Sequence, residues 1–392
     1  MTTSAGLRLL RDPGSPRRAT FLELFFDLVF VVALALISHT LVDHFGLAGI
    51  AQAIVMLLAI WWVWSITTLV TDFYDPRRPM IQAVTIGTMF GVLLMAAAVP
   101  AAFTDRGLIF AGTYVAIHLG RGALLVPALL GEPVRRRAAQ VAFWFAVSAV
   151  PWLIGAFADG NVRLLWWSAA LVIDYGASAF SYPVPVAGRL PTSQFRVTAE
   201  HLSERYQQFF ILALGDIILV AGTTFSISGF SIGSAAAFTV AFASAALLWR
   251  IYVHQAGELL PEAIALSTES GRFARSAPYT HVVMIAGVVA TAASAKITIT
   301  HPTGDTQAGW IAIILGGPAL FLAGRARFES EVLGRTSRPL LVGLAGIAAV
   351  APLMLLLPPV LIAVTANLAL IGIVGHDIAT GHRHPPVSAA PD

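Results

Sequence analysis

The chain has 392 residues, of which 57% are hydrophobic and only 11% are charged; soluble domains carry about a quarter charged residues, so this composition excludes an ordinary water-facing surface. It contains no cysteine, which excludes disulfides, thiolate metal sites and cysteine nucleophiles. The formal net charge is +3, and the basic residues are spread among short segments, a pattern that argues against nucleic-acid binding.

Apolar segments of about 17–25 residues recur along the whole length, and each is long enough to cross ~30 Å of hydrocarbon. The sequence therefore predicts an all-α, polytopic transmembrane helix bundle of about twelve spans in a lipid bilayer. Glu23 and Asp27 interrupt the first segment and no cleavage site follows, so we interpret it as an uncleaved span. The predicted spans cover residues 22–41, 47–70, 80–100, 108–130, 138–158, 163–181, 205–224, 233–254, 279–298, 308–325, 339–357 and 360–376.

Arginine is distributed unevenly among the predicted loops. The N-terminal tail and the loops after even-numbered spans hold most of the arginines, whereas the opposite loops offer only Arg106, Arg163 and Lys296. Because cytoplasmic loops collect basic residues, we expect a multi-pass protein of the cell (inner) membrane with both termini in the cytoplasm. The predicted parts are a cytoplasmic tail (1–20), two six-span halves (21–190 and 195–376) and a second cytoplasmic tail (377–392).

The two halves share patterns that suggest parallel six-helix repeats. Span 4 contains Leu119-Gly120-Arg121-Gly122 and span 10 contains Leu315-Gly316-Gly317-Pro318, while spans 1 and 7 both open with a glutamate and carry a deeper aspartate. Halves of six spans would insert in the same orientation, as parallel repeats do. Chance recurrence of small residues and proline is the alternative.

Ionisable side chains inside the spans are the most informative residues, because placing a charge in hydrocarbon costs several kcal/mol. Glu23 and Asp27 lie four residues apart on one face of span 1, and span 6 carries Asp174. Each deep acid needs a partner, a proton or water. The structural alternative is a carboxylate that locks two helices by pairing with an arginine on another span.

Span 7 begins near Glu204 and Arg205 and reaches Asp216. Arg205 and Asp216 are eleven residues apart, which puts them within ~20° of one stripe and ~16 Å apart along the helix axis. They cannot touch, but they can line one polar track. For His201, Glu204 and Arg205 we favour the interpretation of ordinary residues at the membrane interface.

Span 4 places His118 and Arg121 on one face. Arg121 lies near the middle of its span and keeps its charge, so we expect it to pair with an interior carboxylate, Asp27, Asp174 or Asp216. Arg250 in span 8 lies close enough to the cytoplasm for its side chain to extend towards the interface.

At Glu23-Leu24-Phe25-Phe26-Asp27-Leu28-Val29-Phe30-Val31 the chain resembles the bacterial low-temperature-requirement A family of membrane proteins. The resemblance continues at Trp61-Trp62-Val63-Trp64, at His201-Leu202-Ser203-Glu204-Arg205 and at Gly316-Gly317-Pro318-Ala319-Leu320, and so covers nearly the full length. Members usually have Leu-Gly-Glu followed by Ser where this chain has Leu214-Gly215-Asp216-Ile217. The resemblance implies a link to growth in the cold and leaves the molecular activity open.

The many ionisable residues within spans favour a secondary transporter or ion-translocating protein, acting on an unknown small solute or ion. The alternative is a non-transporting membrane factor with a structural, sensory or lipid-associated role in cold adaptation. Phosphate loops, dinucleotide fingerprints, zinc-protease motifs and hydrolase triad signatures do not occur, so we expect no enzyme, catalytic residue, metal site or cofactor, and no nucleic-acid partner. The ion-pathway candidates are Glu23, Asp27, His118, Arg121, Asp174, Glu204, Asp216 and Arg250.

The arginine distribution generates a topology prediction. Single cysteines placed at Asp105, Asp159 and Asp305 should react with a membrane-impermeant reagent from outside the cell, since all three lie in arginine-poor loops. The chain has no native cysteine to interfere with this labelling. Reaction of any one of them from the cytoplasmic side alone would contradict the twelve-span topology.

Overall fold

A computed structural model of the chain describes residues 9–11, 18–185, 187–191, 194, 199–266, 270–333 and 337–381. Residues 1–8, 12–17 and 382–392 of the predicted tails lie outside these ranges. The described residues form twelve α-helices and no strand, which confirms the all-α helix bundle. The helices are α1 (Phe21–Asp43), α2 (Leu47–Phe73), α3 (Pro79–Ala98), α4 (Gly107–Ala128), α5 (Arg135–Ala156), α6 (Gly160–Ala179), α7 (Ala199–Ser228), α8 (Ile232–Leu266), α9 (Ser270–Thr300), α10 (Ala308–Leu333), α11 (Arg338–Val350) and α12 (Pro359–Gly381).

Eleven of these helices are long and apolar enough to cross a membrane. The remaining helix is α6, whose twenty residues include Arg163 and Asp174. The packing of α1 on α7 bears on whether α6 crosses the membrane. Asp27 and Ser38 of α1 contact Arg205 and Asp216 of α7, so α1 and α7 run in the same direction. Two helices run in the same direction only if the chain crosses the membrane an even number of times between their starts. The helices α1 to α6 make six crossings if α6 is a span and five if it is not, so the geometry supports α6 as a span.

The described residues fall into two compact units, and the boundaries lie inside helices. The first unit comprises the described residues up to Asp216 together with Pro261–Val282, and in it α1 packs on α2 and α3, α3 on α4, and α5 on α4 and α6. The second unit comprises Ile217–Leu260 and the described residues from Val283 onward, and in it α10, α11 and α12 pack on one another. The predicted repeat of residues 21–190 and 195–376 stays a prediction.

The contact between α1 and α7 in the first unit has a matched register. Asp27 and Ser38 are eleven residues apart on α1, and their partners Arg205 and Asp216 are eleven residues apart on α7. Eleven residues are about three helical turns, so each helix presents both of its polar residues on one face. The stripe predicted for Arg205 and Asp216 therefore faces α1.

Helix α10 passes without interruption through Gly316-Gly317-Pro318 and packs on α9 in the second unit. A Cβ atom added at Gly317 would lie 2.8 Å from the backbone nitrogen of Thr291, and one added at Gly287 would lie 2.6 Å from the backbone nitrogen of Phe321. Small residues at such a crossing let two backbones approach closely. The glycines therefore serve helix packing here.

The adjacent glycines of α10 provide a matched test of this contact. Gly317→Ala should lower the free energy of unfolding by about 1–3 kcal/mol, because the new methyl group meets backbone atoms. Gly316→Ala meets no atom within 4 Å and should be neutral or stabilising by up to about 1 kcal/mol through helix propensity. Unfolding in detergent, followed by circular dichroism, measures both; equal effects would contradict the close approach.

Candidate functional site

A cluster of charged side chains lies inside the first unit, between α1, α2 and α7. The guanidinium of Arg205 binds the carboxylate of Asp27 through two parallel hydrogen bonds, each 2.7 Å long. The indole nitrogen of Trp64 donates a third bond to Asp27, at 2.8 Å. Asp27 and Arg205 are both 0% exposed. Since two-bond arginine–carboxylate pairs are strong and directional, this pair holds α1 against α7.

His201 extends the cluster to two further acids. Its Nδ1 lies 3.0 Å from Asp72 Oδ1, and its Nε2 lies 3.1 Å from Glu23 Oε1. Nε2 is also 3.1 Å from Nη1 of Arg11. This nitrogen can accept from Arg11 only without a proton, and can donate to Glu23 only with one. The presence of a proton on Nε2 therefore decides whether His201 can bond Glu23 or Arg11.

The interface interpretation of His201 and Arg205 is wrong, because both side chains are 0% exposed. Their positions near the start of a span resembled ordinary polar flanks. Acids that arrive from α1 and α2 enclose them instead. Asp72, at the end of α2, is a further member of the cluster that the sequence analysis did not single out.

Glu23 and Glu204 fix the start of α1 in different ways. Glu23 Oε2 accepts from the backbone nitrogen of Thr20 at 2.8 Å, while Thr20 Oγ1 accepts from the backbone nitrogen of Glu23, a capping box. Glu204 is half-buried and accepts from the backbone nitrogen of Ala19 at 3.0 Å and from Gln208. Both glutamates thus satisfy donors at a helix terminus and its preceding residues.

An aromatic layer separates the charged cluster from Asp216. Phe209, one turn beyond Arg205, has its ring centre 4.4 Å from that of Trp64, 5.4 Å from that of Trp61 and 6.0 Å from that of Phe30. These rings are buried and pack edge-to-face or tilted, the arrangements that aromatic pairs prefer. Trp61 and Trp64 of α2 are therefore packing residues, and Trp64 also binds Asp27 in the cluster.

Two deep acids have no cationic partner among the described residues. Asp216 is 0% exposed, and its two oxygens accept from Ser38 Oγ at 3.2 and 3.0 Å. Asp174 on α6 is also buried, and its Oδ2 accepts from the Tyr114 hydroxyl at 2.7 Å and from Trp152 Nε1 at 3.4 Å. Neutral donors alone therefore surround both carboxyl groups in the part of the chain that the structure describes.

Arg121 does not pair with an acid in the described structure, and the expected ion pair is wrong. Its Nη2 donates to Thr67 Oγ1 at 2.6 Å, and no described carboxylate lies within ion-pair distance. Asp27 is held by Arg205, and Asp174 binds Tyr114, which lies two turns earlier on α4. The ring of His118, one turn from Arg121, stacks on Phe145 with centres 3.8 Å apart.

The second unit contains a charged pair of its own. Arg325 Nη2 lies 3.1 Å from Glu329 Oε1, four residues on along α10, and both side chains are buried. The predicted span ended at residue 325, whereas α10 continues to Leu333, so both members of the pair lie within the helix. Arg250 on α8 is half-buried in this unit.

Eleven apolar candidate spans and buried ion pairs define the chain as a multi-pass α-helical membrane protein. The family model of bacterial low temperature requirement A protein matches residues 18–375, so the chain belongs to that family. It is similar to an uncharacterised protein of Rhizobium meliloti (strain 1021), with 32% identity over 332 residues, 83% of this chain and 81% of that protein. No solved structure matches the chain significantly.

The pair of Asp27 and Arg205 generates a stability prediction. Asp27→Asn or Arg205→Met alone should cost about 3–5 kcal/mol, because each leaves one buried charge uncompensated. The double variant should cost less than the sum of the two single variants. Chemical unfolding in detergent measures the three values.

Asp75→Asn is the matched control for that measurement. Asp75 is half-buried and lies 3.5 Å from Arg78, which is exposed, so the loss of this partly solvated pair should cost less than about 1 kcal/mol. Additive costs for Asp27 and Arg205 would show that the two charges do not stabilise each other.

Proposed function

We propose that this protein is a proton-linked transporter, in which Asp216 and Asp174 take up and release protons while an ion or small solute crosses. The observation that supports it most directly is Asp216: a fully buried carboxyl group whose described partner is one serine hydroxyl. An ionised carboxylate without a cation is costly in a low-dielectric interior, so a proton is its natural counter-ion. Groups of this kind mark proton pathways in membrane proteins.

Asp27 has a different role in this proposal. Arg205 and Trp64 supply three hydrogen bonds to its carboxylate, which keep it ionised and in place. The pair anchors α1 to α7 at one end, and Asp216 lies three turns away on the same face of α7. Asp27 therefore holds the helices, and the unpaired acids carry the protons.

A polar stripe on α4 offers a proton route to Asp174. Tyr114 binds Asp174, and the rings of Tyr114 and His118 lie one turn apart with centres 4.5 Å from each other. His118 and Arg121 in turn line a cavity at one end of the first unit. Imidazole and phenol groups both accept and donate protons, so this order of side chains suits a relay.

A second candidate function is a non-transporting factor that stabilises the membrane or a partner in the cold. The charged cluster favours it, because a network whose acids are all paired needs no ligand or ion. In either case we propose a non-enzymatic protein of the cell membrane with both termini in the cytoplasm.

Proton flux through the reconstituted protein distinguishes the two functions. Liposomes that contain the wild type should acidify or alkalinise under an imposed cation gradient or potential, as reported by an entrapped pH dye. Asp216→Asn and Asp174→Asn should each abolish this flux, since an amide cannot carry a proton. Asp216→Glu should retain it, because the acid is preserved.

Asp159→Asn is the matched control, since this aspartate is fully exposed in a loop. Gel filtration and circular dichroism should show that the Asn variants remain folded, because removing an unpaired buried carboxyl group leaves no charge behind. A wild type that moves nothing under any gradient, or an Asp216→Asn protein with wild-type flux, would favour the structural function.

A further inference from the structure

A small cavity lies at one end of the first unit, between the last turns of α2 and α4, the first turns of α5 and the segment after α6. Its volume is about 80 Å³. Its wall is mostly apolar, with side chains such as Val70, Phe73, Leu125 and Phe145. Two arginines and a histidine interrupt this apolar wall, and no carboxylate is among the described residues that line it.

Arg121 is the main charge in this wall. It is 7% exposed, and of its three guanidinium nitrogens only Nη2 has a hydrogen-bond partner among the described residues, the hydroxyl of Thr67. A guanidinium keeps its charge at any physiological pH, so its two other nitrogens present unused donors in a dry site. Burying a cation in this way destabilises a folded protein unless an anion compensates it.

His118 adds to the donor set. It is 2% exposed, and neither ring nitrogen has a hydrogen-bond partner among the described residues. Its ring stacks on Phe145, which fixes it beside Arg121. A neutral imidazole can donate one hydrogen bond, which an anion beside Arg121 would accept.

Arg137 contributes positive potential without competing for a ligand. Its Nη1 donates to the backbone carbonyl of Gln194 at 2.7 Å, and its guanidinium lies 3.5 Å from the centre of the Phe73 ring. The cavity therefore has an apolar wall that contains Arg121, a buried cation with free donors, and Arg137, a second cation whose guanidinium is already bonded. This combination rejects metal ions and favours a single negative charge on an apolar body.

We propose that this cavity binds a small organic carboxylate, with the carboxylate at Arg121 and His118 and the apolar body against Phe145 and Leu125. A carboxylate accepts the charge-assisted hydrogen bonds that Arg121 offers, and it balances one positive charge with one negative charge. The volume limits the body to a chain of a few carbon atoms. The site stands on its own geometry, whether or not the protein transports protons.

Replacing Arg121 distinguishes a role in ligand binding from a role in stabilising the fold. If Arg121 serves a ligand, Arg121→Met should raise the thermal unfolding midpoint of the ligand-free protein, because it removes an uncompensated buried charge. The same substitution should weaken carboxylate binding about tenfold or more. If Arg121 serves the fold, the substitution should lower the midpoint.

The experiment measures the unfolding midpoint of the full chain in detergent while propionate or butyrate is added. Both should raise the midpoint of the wild type and of Arg77→Gln, whose exposed arginine lies outside the cavity, in a saturable way. Propanol, butanol and inorganic phosphate should leave it unchanged, since they lack either the charge or the apolar body.

Arg121→Met and Val141→Phe should both lose the response to carboxylates, the first by removing the charge and the second by filling the cavity. Val141 lies in the cavity wall on α5, so its replacement leaves Arg121 in place. An undiminished response in either folded variant, an equal response to the alcohols, or no response of the wild type would overturn the proposal.

Discussion

The bidentate pair of Asp27 and Arg205 is the constraint on which the arrangement of the first unit depends. Neither side chain reaches solvent, so each charge needs the other, and the two helices that carry them must meet at this point. His201 then lies between Glu23 and Asp72, which brings the end of α2 to the same place. One ion pair thus determines the register of α1 on α7 over three turns.

The ionisable groups inside this unit fall into two kinds, those that are paired with an opposite charge and those that are not. The paired charges gather at the start of α1 and α7, the aromatic layer around Phe209 follows, and Asp216 lies beyond that layer with a serine hydroxyl. Arg121 is a charge of the opposite sign without a described acid, in the wall of an apolar cavity. A fold selected for stability alone would pair these groups, and their separation is the physical reason for expecting function there.

Membership of the low temperature requirement A family defines the class of protein and leaves its activity to be argued from the side chains. The similar protein of Rhizobium meliloti shares 32% identity with this chain over most of both chains, and it is itself uncharacterised. Proton transfer and carboxylate binding are therefore inferred from the burial and hydrogen bonding of individual side chains. They concern different residues, Asp216 and Asp174 in one case and Arg121 with His118 in the other.

The amino-acid sequence by itself determined the helices, because an apolar run of membrane-spanning length must satisfy its backbone hydrogen bonds internally. It also determined which residues share a helix face: Arg205 and Asp216 lie on one stripe because eleven residues make about three turns. The tertiary structure decided the partners. Asp27 and Arg205 are separated by 178 residues, as are Ser38 and Asp216, and hydropathy says nothing about which faces of such distant helices meet. For that reason the sequence predicted that Arg205 lies at the membrane interface and that Arg121 pairs with an interior carboxylate. In the tertiary structure Arg205 is buried against Asp27, and Arg121 bonds Thr67 instead of an acid.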